Sequence, residues 1–288
     1  MHPPGERHPT AARIDQDSEL ISAMTDNPFE ATEAHTPFDG RSVDLGVVFT
    51  EGTSMAVRNV LQFLLAGFVL FATYLVSICT CVGWIITLPY MVWGTYAFLL
   101  TVADGEARID ALWSGLEDPG RVFLSGWGLI FCLVVIISPT IGTAVATEFA
   151  VQEGMLPAWS SSIVPLVAGT AWGALIAPLT YAPLLWADGR AGVIASFTMA
   201  IDAFKGSWLQ VALVSVVLQL GMAPSSLASA WLQSKQVEML TAGPDEIWSV
   251  LAPLLSVVAF IYLVMFVMGV LGQCWMANAY RQVVPRAQ

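Results

Sequence analysis

"VLQFLLAGFVLFATYLVSICTCVGWIITLPYMVWGTYAFLLTVA" (60–103) runs for 44 residues without a charged side chain. As one helix it would extend about 66 Å at ~1.5 Å per residue, twice the ~30 Å hydrocarbon core of a bilayer. It therefore reads as two membrane spans, 60–78 and 84–103, joined by a tight turn at "CTCVG" (79–83). Gly83 is expected to supply a backbone angle that other residues resist.

The rest of the chain repeats the pattern. Residues 122–146, 163–186, 207–230 and 247–272 are four further stretches of spanning length. Over all 288 residues the charged share is 11% and the hydrophobic share 56%, against about 25% charge in soluble domains. The expected fold class is all-α and polytopic, with six transmembrane helices. Proline falls in or at the end of five spans, with Pro89, Pro139, Pro178, Pro183 and Pro253 as candidate kink or cavity positions. A bundle permits them because neighbouring helices can satisfy the freed carbonyls. Gly, Ala, Ser and Thr recur inside the spans ("AGTAWGA", 168–174; "MGVLG", 268–272), which suits close helix packing or self-association.

Charge sets the expected topology. With the N-terminus inside, ten of the eleven basic residues fall on the inner side and only Lys235 on the outer. Both termini are then cytoplasmic, and Trp84, Trp159, Trp231 and Trp248 mark the outer interface against Trp113, Trp186, Trp208 and Trp275 at the inner one. Residues 1–51 hold ten of the 22 acidic groups and all three histidines. Residues 1–42 read as a disordered acidic tail too poor in large apolar groups to fold, with "NPFE" (27–30) and "TPFD" (36–39) as candidate docking segments. Residues 283–288 form a short second tail. The tail contains no apolar h-region, so no cleaved signal peptide is expected, and the expected location is the cell inner (plasma) membrane.

"ADGEA" (103–107) returns as "ADGRA" (187–191). Sliding the chain by 84 residues aligns 103–121 with 187–205 without a gap and with six identities. Each copy ends a span at Ala-Asp-Gly, where Asp104 and Asp188 are expected to meet water and Gly105 and Gly189 to take the left-handed helix-ending conformation. An amphipathic interfacial helix follows, with Ile109, Leu112, Trp113 and Leu116 on one face of the first copy. Ile194, Phe197, Ile201 and Phe204 are expected to share a face in the second. A weaker copy with Leu45, Val48 and Phe49 precedes the first span, and "ANAYRQ" (277–282) stands where the Asp-Gly turn would recur. The membrane domain 43–282 is expected to comprise three parallel two-span hairpin repeats.

Three segments carry a resemblance: "LPYMVWGTYAFLLTVADGEARIDALWSGL" (88–116), "LTYAPLLWADGRAGVIASFTMAIDAFKGSW" (179–208) and "VMGVLGQCWMANAYRQ" (267–282). Over 43–282 the pattern resembles bacterial six-span integral membrane families of unknown function. It also resembles the membrane domain attached to some glycerophosphodiester phosphodiesterases, in which interfacial helices alternate with apolar hairpins. The soluble phosphodiesterase part, with its acidic metal ligands, has no counterpart here.

The sequence offers little to catalysis. Histidine is confined to the first 35 residues, so neither a membrane zinc site nor a Ser-His dyad is expected. There is no phosphate loop and no basic patch for nucleic acid. Cys79, Cys81, Cys132 and Cys274 read mainly as buried thiols. Neither catalytic residues, cofactor nor metal are expected. The expected function is a non-enzymatic integral membrane protein that organises membrane lipids or partner proteins. The alternative is a carrier or channel for a neutral or apolar small molecule, using a cavity between Pro-kinked hairpins.

Overall fold

The computed structural model describes residues 42–80, 83–157, 159–241 and 247–286, with backbone only for 230, 233–241 and 247–250. The acidic tail to residue 41, its NPFE and TPFD segments, Cys81 and the centre of the 231–246 loop lie outside the described residues, as do the side chains of Lys235 and Trp248. Among the described residues there are nine α-helices and no strand. They are α1 (Leu45–Arg58), α2 (Val60–Cys79), α3 (Gly83–Ala103), α4 (Pro119–Gln152), α5 (Ser160–Leu175), α6 (Ala182–Ala187), α7 (Val193–Phe204), α8 (Trp208–Thr241) and α9 (Ile247–Val283). The chain is an all-α polytopic membrane protein. Five of its helical segments are long and apolar enough to span, and a sixth span is a bent pair.

That bent pair corrects the fourth expected span. Residues 163–186 are not one helix: α5 stops at Leu175, and the 3-10 turn Ala177–Tyr181 leads into α6 with a bend of 75°. Pro178 has no N–H to donate to Ala174, and its ring would strike that carbonyl in a continued helix. Trp208 fills the gap, its indole Nε1 donating to Ala174 O at 3.3 Å. Pro89 is treated alike, but its helix continues: the carbonyl it orphans, Ile85 O, accepts from Trp127 Nε1 at 3.1 Å. Pro139 orphans Val135 O, which accepts from Ser138 Oγ at 2.8 Å. Pro183 lies buried in α6, and Pro253 sits exposed inside an unbroken α9. Of the five candidate prolines, then, only Pro178 stands at a break of this size.

Trp127→Phe keeps the ring and removes only the donor. It is expected to cost about 1 kcal/mol, the scale of interhelical hydrogen bonds in membranes, measurable by reversible unfolding in mixed micelles.

The first hairpin is tied by Thr87 Oγ1 donating to Ser77 Oγ at 2.8 Å. Gly83 is the first residue of α3 and does not take a left-handed angle. It is small because a Cβ there would strike Thr80 Oγ1 and Ser77 O.

The segment after Ala103-Asp104-Gly105 is a 3-10 helix, Ile109–Leu116, rather than an α-helix. At three residues per turn, the packed face is Ile109, Leu112 and Gly115, while Trp113 and Leu116 point outward. It lies so close to α3 that a Cβ on Gly94 would strike Leu112 O. In α7 the packed face is Val193, Ser196, Ala200 and Ala203 with Phe204. Ile194 and Ile201 face away from it, so the expected single stripe is split.

Two expected interface tryptophans are core residues. Trp186 is 2% exposed and meets Trp93 edge-on at 4.6 Å. Trp275 is 8% exposed, donates to Thr53 Oγ1 at 3.0 Å and meets Phe49 edge-on at 4.9 Å. Helix α1 is therefore packed along α9 rather than only lying on a surface. The largest fully buried side chains, including Tyr181, Leu184, Leu185, Phe204 and Tyr280, gather at the end of the bundle that holds the Asp-Gly turns. Away from that end the helices present Phe68, Phe71, Phe131 and Phe260 outward, as lipid-solvated surface.

Candidate functional site

Two features stand out: an ion-pair knot at the packed end, and a cavity between α4, α5 and α8.

The knot begins with the repeated turns. Gly105 and Gly189 take φ of +83° and +69°. In the first turn Glu106 N donates to Thr101 O at 2.8 Å and Gly105 N to Val102 O at 3.1 Å. In the second, Arg190 N donates to Leu185 O and Gly189 N to Trp186 O, both at 3.1 Å. These are the paired closures of a left-handed helix C-cap, shifted by 84 positions. The carboxylates they present are turned largely away from water and toward a cation, whereas the sequence expectation is that they face water. Asp104 and Asp188 side chains are 14% and 15% exposed, and both face Arg281, itself 13% exposed.

Arg281 joins them with a single guanidinium. Its Nη1 donates to Asp188 Oδ2 and its Nη2 to Asp104 Oδ2, each at 3.0 Å. Nε lies 3.0 Å from Asp104 Oδ1 but does not aim its hydrogen there. Tyr280 Oη donates to Asp188 Oδ2 at 2.8 Å, and Arg190 Nε does so at 3.2 Å. Arg190 Nη2 also donates to Pro285 O at 2.7 Å. Arg286, mostly exposed, stands 3.6 Å from Asp104. Helix α9 supplies Arg281 by continuing to Val283, past the expected end of the span near 272. "ANAYRQ" is accordingly helix, not a third Asp-Gly turn. The next residues join the chain's two described ends, with Asp44 N donating to Gln282 Oε1 at 2.7 Å.

Each carboxylate is held by guanidinium groups, Asp188 also by the Tyr280 hydroxyl, while Arg281 Nε is left without an acceptor. The arrangement is that of a clamp between three chain segments. Nearby, exposed Asp110 accepts from Arg108 Nη2 at 2.6 Å, and this guanidinium holds the carboxyl below its ordinary range.

The cavity has a volume of about 1100 Å³. From α4 it takes Ile137, Thr140, Ala144, Glu148 and Gln152, and from α5 Ser161, Ser162, Gly169, Trp172 and Gly173. Helix α8 contributes Ser215, Gln219, Ser226 and Ser229, and Ile176 and Thr180 border it at the 75° break. Glycines let α5 approach its neighbours closely along this wall: a Cβ on Gly173 would stand 3.1 Å from Ser215 Oγ, and one on Gly169 3.3 Å from Thr140 Cγ2. A second space of about 320 Å³ borders Pro139 on another side of α4 and α5.

The sequence reading singled out the helix-end pairs Asp104–Gly105 and Asp188–Gly189, and the structure brings both aspartates together. It missed Arg281 and the cavity polar groups, which lie on four separate segments. Among the described residues no cluster of His, Cys, Asp or Glu is arranged to hold a metal ion. Cys274 is buried, Cys132 half-buried and Cys79 exposed, all as free thiols. No family model, characterised protein or solved structure matches this chain.

Proposed function

We propose that this is a non-enzymatic membrane protein that holds a lipid-like amphiphile between α4, α5 and α8. The observation that carries the reading is the cavity of about 1100 Å³, with Ser, Thr and Gln groups on parts of its wall and Ile, Val, Leu and Phe on others. Small-molecule sites are usually about 300–1,000 Å³, mostly apolar with a few placed polar groups. A lipid with a polar head and an apolar tail matches that mixture, so membrane lipids are the proposed partner class.

Topology completes the reading. The ten-to-one bias of basic residues supports a cytoplasmic knot and cytoplasmic termini. The cavity, reaching Gln152 and Ser161 at the opposite ends of α4 and α5, then belongs to the outer half of the membrane. The matching turns at 105 and 189 support a common plan for the first two hairpin units. The proposed location is the inner (plasma) membrane.

A carrier is the second reading, and the bent pair favours it. Ile176 and Thr180 end the cavity at the break, and the buried core of Tyr181, Leu184 and Leu185 lies beyond. A site reaching one face and sealed toward the other is one of the two states that alternating access needs.

The test is native mass spectrometry of the protein extracted gently from its membrane. A retained lipid of defined mass is expected, and Ala144→Trp, which fills the cavity, is expected to abolish it. A protein that carries no lipid, or carries it equally in the filled variant, overturns the reading.

A further inference from the structure

We infer that the amphiphile held in this cavity bears a cationic head group, with Glu148 as its counter-charge and the tail running toward Thr140 and Ile137. This rests on the reading of the cavity as a lipid-like site and adds the chemistry of the head.

Glu148 is the only charged residue among those lining the cavity. It has no ion-pair partner among the described residues; its recorded contact is Gln152 Nε2, donating to Oε1 at 3.4 Å. Neither α4 nor α5 carries a cation near Glu148, since no Lys or Arg lies between Arg121 and Arg190. Glu153, one residue beyond α4, adds a second negative charge at the same end. A carboxylate at the boundary of a low-dielectric wall attracts a cation more strongly than one in bulk water, and it repels an anionic head by the same argument. Gln152, Ser161 and Ser162 add hydrogen-bonding groups around it.

Below the carboxylate the lining changes. Val145, Ile141 and Ile137 follow along α4, and Leu166 and Trp172 along α5. From Glu148 to Ile137 is about 16 Å of helix at ~1.5 Å per residue, the reach of a medium-length alkyl chain. The single charge thus stands at one end, and the α4 and α5 walls beyond it are largely apolar, with Thr140 on α4 and Ser215 and Gln219 on α8 as polar groups there.

The experiment uses the full chain in phosphatidylcholine nanodiscs. The probes are 12-bromododecyltrimethylammonium and 12-bromododecyl sulfate, whose bromine quenches a nearby indole. Trp172 is read as the difference between the wild type and Trp172→Phe. The cationic probe is expected to quench this component at about tenfold lower concentration than the anionic one. Glu148→Gln, a change at an exposed carboxylate that leaves the fold alone, is expected to erase the difference. Equal quenching by both probes, unchanged in Glu148→Gln, overturns the head-group assignment while the cavity reading stands. Quenching by neither probe overturns both.

Discussion

Arg281→Met is expected to destabilise the protein by about 3–5 kcal/mol, the usual cost of removing one partner from a buried ion pair. The variant leaves Asp104 and Asp188, each about 15% exposed, without the guanidinium that bonds both. Arg190 still reaches Asp188, but Asp104 retains only the distant and exposed Arg286. The measurement is reversible unfolding in mixed micelles, compared with Arg108→Met, whose ion pair with Asp110 is exposed and worth little. The triple variant Asp104→Asn, Asp188→Asn, Arg281→Met is expected to recover most of the loss, because replacing all charged partners together removes the unpaired carboxylates. A single variant indistinguishable from wild type would show that the three segments hold together without the knot.

Trp186→Ala is expected to cost a similar amount, about 3–5 kcal/mol, for a different reason. Trp186 packs among Leu129, Val193, Trp93 and Phe197, and truncation leaves a void that these side chains cannot all reach. In a membrane the loss is chiefly dispersion contact, since lipid is as apolar as the core. Trp113→Ala supplies the control, because that ring is 48% exposed and lipid can replace it. A loss for Trp186→Ala no larger than for Trp113→Ala would contradict the packing described here. Since Trp186 lies in α6, just past the 75° bend, this variant also asks whether the bent segment is held from α3 and α4.

The spans were legible because lipid imposes a length and a composition that any window can detect. The ends of α4, α8 and α9 were less so, since a helix need not stop where hydrocarbon does. Which proline breaks its helix is not a property of the window. Pro89 and Pro139 sit in continuous helices, with Trp127 and Ser138 satisfying the carbonyls they orphan. At Pro178 the helix turns away, although Trp208 makes the corresponding bond. Asp104 and Asp188 were read locally as water-facing helix ends. Their true partner lies 177 and 93 residues away, beyond any periodicity argument. One signal was present: Arg281 stands in the segment that aligns with both Asp-Gly turns.

The wide separation of the knot's members has a consequence for biosynthesis. At roughly 5–20 residues per second, the ribosome reaches Arg281 about 10–35 s after it has made Asp104. During that interval Asp188 is made together with its neighbour Arg190, whereas the permanent cations of Asp104, Arg281 and Arg286, both come last. Insertion must therefore tolerate the Asp104 carboxylate at the bilayer edge until the last helix arrives, and a nascent chain stalled before residue 281 displays it to any quality-control protease that samples that face.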